Sequence, residues 1–312
     1  MYDVIIIGGG PAGLTAGLYS SRARLKSLLI EKGLTGGTVT ITEWIENYPG
    51  FEEGVAGADL ARKMEQQATK FGLEISQGTV TRISFNGNIK KVILEDGQEF
   101  ESKSVILASG GHPRKLKIEG EDEFRGRGVS YCATCDGAFF KGAKIAVIGG
   151  GDSAVQEGLF LTKFAEVVYI VHRRDSLRAE KILQDRALSE PKIKLVWDSV
   201  PEKIEGNEKG VTSLLVKNVK TGDLSSLEVE GVFIYVGFDP NTEFLAGMAN
   251  LNENNYILTD DNMATSAPGI FAAGDMRAKI TRQIATAVGD GAIAAIAAEK
   301  YIEENFRNSS KP

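Results

Sequence analysis

The chain of 312 residues is poor in sulfur and imidazole, with two cysteines and two histidines. So few cysteines exclude a secreted scaffold stapled by several disulfides. A four-ligand zinc site would need Cys132, Cys135, His112 and His172 together, the whole supply of soft ligands. Basic charge is also short: the net charge is −6, without the cationic footprint of a nucleic-acid binder. Long apolar runs are missing. The most apolar late stretch, "IATAVGDGAIAAIAAEKY", is broken by Asp290 and glycines and reads as a core helix, not a membrane span. The opening "MYDVIIIGGG" starts on a strand-like run, without the basic region or cleavage site of a leader. The expectation is a cytoplasmic chain, in which a cysteine pair is more often catalytic than structural.

What is present is globular. With 42% hydrophobic and 25% charged residues the composition is ordinary, and the length suggests about two domains. Two stretches look alike: "DVIIIGGGPAGLTAGLYSSRARLKSLLIEKG" and "KIAVIGGGDSAVQEGLFLTKFAEVVYIVHRR". Each is an apolar run, a glycine-rich turn, a helical segment and a second apolar run, which is a βαβ unit. Each carries a dinucleotide fingerprint: Gly8, Gly10 and Gly13 in the first, Gly149, Gly151 and Ala154 in the second. The first glycine permits the tight turn, the second lets backbone approach a pyrophosphate, and the third small residue lets helix and strand pack closely. The pyrophosphate then meets the amides of the helix N-terminus.

The end of the second strand separates the two units. Glu31 lies as far beyond Gly8 as His172 lies beyond Gly149, so one slot holds a carboxylate and the other "HRR". A carboxylate there accepts from ribose hydroxyls and repels a 2′-phosphate, whereas cations attract one. Unit one is thus suited to FAD or NAD, and unit two to NADP(H) through Arg173, Arg174 and Arg178. Elsewhere, "IKKVILEDGQEFESKSVILASGG" reads as a hairpin about Asp96-Gly97, and "VTSLLVKNVKTGDLSSLEVEGVFIYVG" as two strands about Thr221-Gly222 followed by a buried strand. "GIFAAGD" is a strand ending at Asp275, a candidate either for a ribityl or ribose hydroxyl or for a turn or helix cap.

Together these pieces resemble the low-molecular-weight, bacterial-type thioredoxin reductases. The residues that carry the resemblance are "GGGPAG" at 8–13, "ENYPGF" at 46–51, "CATCDGAFF" at 132–140, "GGGDSA" at 149–154, "HRRDSLRA" at 172–179, "GIFAAGD" at 269–275 and "RQIATAVGDG" at 282–291. The resemblance implies an α/β fold of two Rossmann-like, three-layer ββα domains. An NADPH domain, 114–245, is inserted into a discontinuous FAD domain, 1–113 and 246–312. It implies FAD contacts from Gly10, Pro11, Ala12, Glu31, Gly36, Gly37, Thr38, Asn47, Asp275, Arg282, Gln283 and Ile284. It also implies NADPH contacts that take in Asp152, Ser153 and His172, a homodimer, and thioredoxin as the protein substrate. The chain departs from the family pattern at Thr38, usually Gln, at "LASGG" for Ala-Thr-Gly, at Thr281 for a common Tyr and at Phe238 for a frequent His.

Such an enzyme needs these parts. A nicotinamide gives up two electrons as hydride, a disulfide takes two electrons but not hydride, and a flavin bridges the two chemistries. Two residues between Cys132 and Cys135 permit a small-loop disulfide at a helix start, where amide dipoles stabilise a thiolate. The resemblance makes Cys132 the exchange thiol, puts Cys135 nearer the flavin, and makes Asp136 the acid that supplies a proton. It also implies that the inserted domain swivels on linkers near Pro113–Lys117 and Asp239–Glu243. Rival readings are a reductase serving another thioredoxin-fold or peroxiredoxin partner, a ferredoxin-fed reductase, and a non-catalytic flavin redox sensor.

Overall fold

Uninterrupted apolar strands set the architecture. The first strand buries Val4, Ile5, Ile6 and Ile7 together, as a central parallel strand covered on both faces does. A computed structural model of the chain describes residues 1–42 and 44–307. The first segment runs β1 (Tyr2–Ile7), α1 (Pro11–Arg22), β2 (Ser27–Glu31), α2 (Gly57–Thr69), β3 (Glu74–Gln77), β4 (Val80–Asn86), β5 (Ile89–Leu94) and β6 (Glu99–Leu107). After the short β7 (Gly111–Pro113) come β8 (Val129–Ser130), α3 (Ala133–Asp136), β9 (Lys144–Ile148), α4 (Asp152–Leu161), β10 (Val167–Val171) and α5 (Lys181–Ser189). Then follow β11 (Ile193–Val196), β12 (Ser199–Asn207), β13 (Gly210–Asn218), β14 (Leu224–Glu228), β15 (Gly231–Ile234) and β16 (Phe238–Pro240). The chain closes with β17 (Ile270–Ala272) and α6 (Ile284–Ile302). It divides into two compact units, Met1–His112 with the segment from Asp239 on, and Pro113–Phe238.

In the first unit the sheet order is β3-β2-β1-β6-β5-β4, with β17 also paired to β6. β1, β2, β3, β6 and β17 are parallel, and β4–β5 joins the start of β6 as an antiparallel hairpin. Alternation then builds three layers. Val4, Ile6 and Ile106 pack with Leu14 and Ala16 of α1 and Ala294 and Ala298 of α6. Ile5, Ile7 and Val105 pack on the other face with Ile83, Val92 and Leu94 of the hairpin.

The second unit repeats the plan. A parallel sheet, β11-β10-β9-β15-β8, stands between helices and the antiparallel sheet β12-β13-β14. Ile145 and Val147 face Val155 and Leu161 of α4, while Ala146 and Ile148 face Ile204, Leu214 and Val216. Each fully buried Ile or Leu contributes about 1.5–3 kcal/mol relative to exposure. The Rossmann-like, three-layer plan implied by the sequence is the plan found. Residues 239–245, expected with the inserted unit, lie with the first, because Leu245 is buried in one cluster with Ile5, Leu28 and Ile257. Among the described residues no helix is long and apolar enough to cross a membrane.

The burial pattern of the hairpin puts one lysine inside. Lys90 is 1% exposed, and its Nζ donates to the Asn88 and Lys103 carbonyls and to the Tyr301 hydroxyl, each at 2.9 Å. It thereby fastens α6 to the sheet. Burial lowers its pKa from 10.5 to about 8. Below about 8 the folded chain must carry this desolvated ammonium. From there toward 10.5 the unfolded chain binds more protons than the folded one, so stability gains with pH. Denaturant unfolding of the chain and of Lys90→Met, repeated between about pH 7 and pH 9.5, should show the unsubstituted chain gaining on the variant as pH rises. A pH-independent gap would refute the buried-ammonium account.

Candidate functional site

In the first unit the β1–α1 turn is shaped by what its backbone allows. Gly8 has φ +106°, and a Cβ there would collide with the Ala108 carbonyl. A Cβ at Gly13 would collide with the Gly8 carbonyl, so helix and strand approach at this residue. α1 starts after Gly10 with no side-chain cap and with Pro11, which has no N–H, in its first turn. Nothing lies within 4 Å of where a Gly10 Cβ would be. Uncapped amides under clear space fit a pyrophosphate. Glu31 closes the turn from β2: Oε2 accepts from Gly9 N–H at 2.6 Å and Oε1 from Gly33 N–H at 3.0 Å. Gly36 N–H donates to the Gly9 carbonyl at 2.7 Å, bringing Gly36, Gly37 and the exposed Thr38 beside Gly10.

The returning segment completes this region. Gly274 sits against Ala12, which puts Asp275 at the end of β17 beside the turn. Among the described residues Asp275 Oδ1 makes no hydrogen bond and is paired only with Lys279 Nζ, at 3.6 Å. Burial raises the Asp275 carboxyl, against the opposing pull of Lys279 and Arg282. An acceptor in this condition fits a ligand hydroxyl. Arg282 donates from Nε to the Asp275 carbonyl at 3.4 Å and lies 4.1 Å over the Tyr256 ring. Asn47 Nδ2 donates to Gln283 Oε1 at 3.3 Å. Gln283 caps α6 in a reciprocal pair with Thr286, and Ile284 packs against the cluster of Val39 and Ile45.

Asp290 is the element here that sequence reasoning took only for a break in an apolar run. It is 7% exposed and accepts from Gly274 N–H at 3.1 Å, Lys279 Nζ at 2.9 Å and Arg277 Nη1 at 3.3 Å. It holds the turn that carries Asp275. The available signal was an aspartate inside an otherwise apolar helical period.

The second unit builds the same turn differently. Gly149 has φ +144°, and a Cβ there would collide with the Tyr235 carbonyl. α4 starts after Gly151, uncapped and with clear space above, and Ala154 is buried behind it. His172 occupies the slot of Glu31, but it lies under the turn with its ring against Gly150. It is 4% exposed, and its Nε2 is buried without a partner. Burial first, then Arg178, Arg174 and Arg173, lower its pKa, which keeps the imidazole neutral. Arg178 and Ala179 N–H both donate to the Gly150 carbonyl, at 2.6 and 3.1 Å, and fold the arginine segment back onto the turn. Arg173, Arg174 and Arg178 are exposed and have no carboxylate partner among the described residues. Asp152 accepts from Glu180 N–H at 2.8 Å, and Ser153 is exposed.

Cys132 and Cys135 form a disulfide, S–S 2.09 Å. Cys132 is the N-cap of α3, and its sulfur accepts from Cys135 N–H at 3.2 Å. Two residues not singled out from the sequence hold this turn. The Tyr235 hydroxyl accepts from Ala133 N–H at 2.8 Å, and Tyr235 N–H donates to the Ile148 carbonyl at the end of β9. Burial raises the Tyr235 phenol well above its ordinary value, with Glu157 and Asp136 adding to the rise. Ser130 Oγ accepts from Cys132 N–H at 3.0 Å and donates to Asp136 Oδ2 at 2.6 Å. Cys135 is exposed and Cys132 half-buried.

Asp290→Ala would leave a nearly buried lysine and arginine and a backbone amide short of their acceptor. Removing one partner of such a group costs on the order of 3 kcal/mol. Urea denaturation of the flavin-free chain should register that loss, and flavin retention on gel filtration should fall with it; unchanged stability would refute the role of Asp290 in holding the turn.

Comparison with known proteins gives one consistent answer. Residues 2–291 match the family model described as pyridine nucleotide-disulphide oxidoreductase. A thioredoxin reductase of Listeria innocua is 49% identical over 97% of this chain and 95% of its own length. That of Bacillus subtilis is 48% identical over 97% of this chain and 96% of its own. The crystal structure of Lactococcus lactis thioredoxin reductase matches with TM-score 0.95 and 52% identity, covering 97% of this chain and 100% of that one. Two nucleotide turns, a disulfide at a helix start and relatives of this closeness place the chain in the pyridine nucleotide-disulphide oxidoreductase family, among its thioredoxin reductases.

Proposed function

We propose that the chain passes electrons from NADPH, by way of FAD, to the Cys132–Cys135 disulfide, and from the resulting dithiol to oxidised thioredoxin. The observation that carries this reading is the makeup of the second unit. One compact body holds a nucleotide turn fronted by three exposed arginines and a disulfide tied to that turn through Tyr235. The first unit would hold FAD: the open amides of α1 suit the pyrophosphate, Glu31 the ribose, and Asp275 with Asn47, Arg282 and Gln283 the remainder. Bound there, FAD supplies the conversion between hydride transfer and sulfur chemistry. In the second unit Gly149, Gly151 and α4 suit a pyrophosphate, and Arg173, Arg174 and Arg178 suit a 2′-phosphate. Their lack of carboxylate partners favours a phosphorylated nucleotide over a ferredoxin as electron source. His172 supports the turn from below.

At the disulfide the chain's own groups direct the proton and the charge. When the bond opens, the Cys135 amide is already aimed at the Cys132 sulfur, which stabilises a thiolate there and makes Cys132 the nucleophile toward a partner disulfide. Asp136 exchanges the accompanying proton. A thioredoxin partner implies a reducing compartment, the cytoplasm, and kinship implies a homodimer.

Anaerobic NADPH should bleach the yellow protein within a mixing time. Cys132→Ser and Cys135→Ser should keep that bleaching and lose thioredoxin reduction; retained reduction in either would end the proposal. Arg173→Ala and Arg174→Ala should raise KM for NADPH about tenfold or more, as loss of charge-assisted hydrogen bonds does, and leave KM for NADH nearly unmoved. Equal effects on both cofactors would refute the 2′-phosphate assignment.

A further inference from the structure

Ser130 ends the short strand β8, two residues before the disulfide, and is 5% exposed. Its hydroxyl meets three groups of the redox turn. Oγ accepts from Cys132 N–H at 3.0 Å, lies 2.6 Å from Asp136 Oδ2, and lies 3.2 Å from the Cys132 carbonyl. A serine hydroxyl has one proton and two acceptor sites. The proton goes to the nearer and charged acceptor, the Asp136 carboxylate.

The arrangement serves the other protonation state as well. With Asp136 neutral, its own O–H can donate to Ser130 Oγ, and the serine proton can turn to the Cys132 carbonyl. One lone pair still receives Cys132 N–H. No buried polar group is stranded when the proton arrives or leaves, as a carboxyl that must cycle requires. The two states are unequal, because a bond donated to a charged carboxylate is about twice as strong as a neutral one.

We propose that Ser130 is a positioning residue for the proton transfer at the disulfide: it holds the Asp136 carboxyl in place against the redox turn in both of its protonation states. The inference rests on the reading of Asp136 as the proton-exchanging group. Opening the disulfide takes up two electrons, which the nicotinamide supplies through the flavin, and leaves two sulfurs that need up to two protons. Asp136 delivers one of them and regains it from solvent. The Tyr235 phenol, from the segment after β15, lies within electrostatic reach of Asp136 and of Glu157 of α4, and the Asp136 amide donates to the Cys132 carbonyl. The serine hydroxyl is the only donor to Asp136 among the described side-chain hydrogen bonds.

The test is a double-substitution cycle in the full-length holoenzyme. Ser130→Ala should lower kcat for thioredoxin reduction about tenfold, the equivalent of one hydrogen bond to a charged group, and leave KM for NADPH and the bleaching of the flavin by NADPH unmoved. Ser130→Thr, which keeps the hydroxyl, should restore kcat, and Ser130→Ala should have no further effect once Asp136 is Asn. If Ser130→Ala does not fold, Ser130→Val against Ser130→Thr, nearly equal in size, repeats the comparison. An unchanged kcat, or an equal loss in the Asp136→Asn background, would overturn the proposal. If the unsubstituted holoenzyme fails to reduce thioredoxin, the functional reading falls instead, and reduction of a small-molecule disulfide by the same variants still decides on Ser130.

Discussion

Each glycine-rich turn is closed by one side chain pressed against its middle glycine, and the character of that side chain sets the charge at the rim of the turn. In the first unit Glu31 takes the Gly9 and Gly33 amides, one on each oxygen, so the rim of the turn is anionic and already bound to backbone. In the second unit a neutral imidazole fills the same slot from beneath Gly150, and the rim is left to Arg173, Arg174 and Arg178. A protonated imidazole there would have to share the space with three cations, and burial and those cations together keep it neutral. The sheets, helices and glycines around the two slots are otherwise one design used twice.

The redox turn depends on a different constraint. A four-residue helix such as α3 has no stability of its own. In the oxidised chain the disulfide holds it, but the chemistry requires that bond to open in every cycle. What remains is enough to keep its place. Ala133 is buried with its amide on Tyr235, Cys132 N–H is on Ser130, and Gly137 lies against Leu161 and Phe164. Because Tyr235 also bonds to the end of β9, the turn that carries the thiols and the turn suited to a nucleotide share one anchor. Electrons can enter and leave the sulfurs without refolding around them.

What could be read from the sequence was whatever short range specifies. The continuous apolar runs of β1 and β9, the glycine fingerprints that follow them, and the turns at Asp96-Gly97 and Thr221-Gly222 each lie within a few residues of the structure they dictate. The groups that were missed act across long separations. Lys90 sits in the run "IKKVIL", where a lysine ordinarily signals a solvent face; only its bond to Tyr301, 211 residues away, shows that it points inward. Tyr235 reads as one more residue of a buried strand until the fold brings it to Ala133, 102 residues earlier. The return of the chain at Asp239 was placed late because the single turn Glu243–Leu245 has no periodicity, and Leu245 is assigned only by the core it enters. Ser130 was within reach, since a serine two residues before a helix N-cap can bond locally, but nothing local says that Asp136 is its acceptor.

The unpartnered polar atoms argue that these turns are built for ligands. Among the described residues, four buried side-chain atoms lack a hydrogen bond: Ser20 Oγ, Ser21 Oγ, His172 Nε2 and Asp275 Oδ1. The serines are ordinary, since a hydroxyl inside a helix can rotate toward the carbonyl one turn back. The imidazole has no such recourse, and a stranded group of this kind costs about 1–3 kcal/mol, whereas the carboxylate oxygen keeps an ion pair with Lys279 at 3.6 Å. A folded chain rarely keeps such a cost without a use for it. One of the two lies beneath the second nucleotide turn and the other beside the first. A ligand hydroxyl donated to Asp275 Oδ1 would add a hydrogen bond to its ion pair with Lys279, and a ligand held there would stabilise the folded chain by mass action.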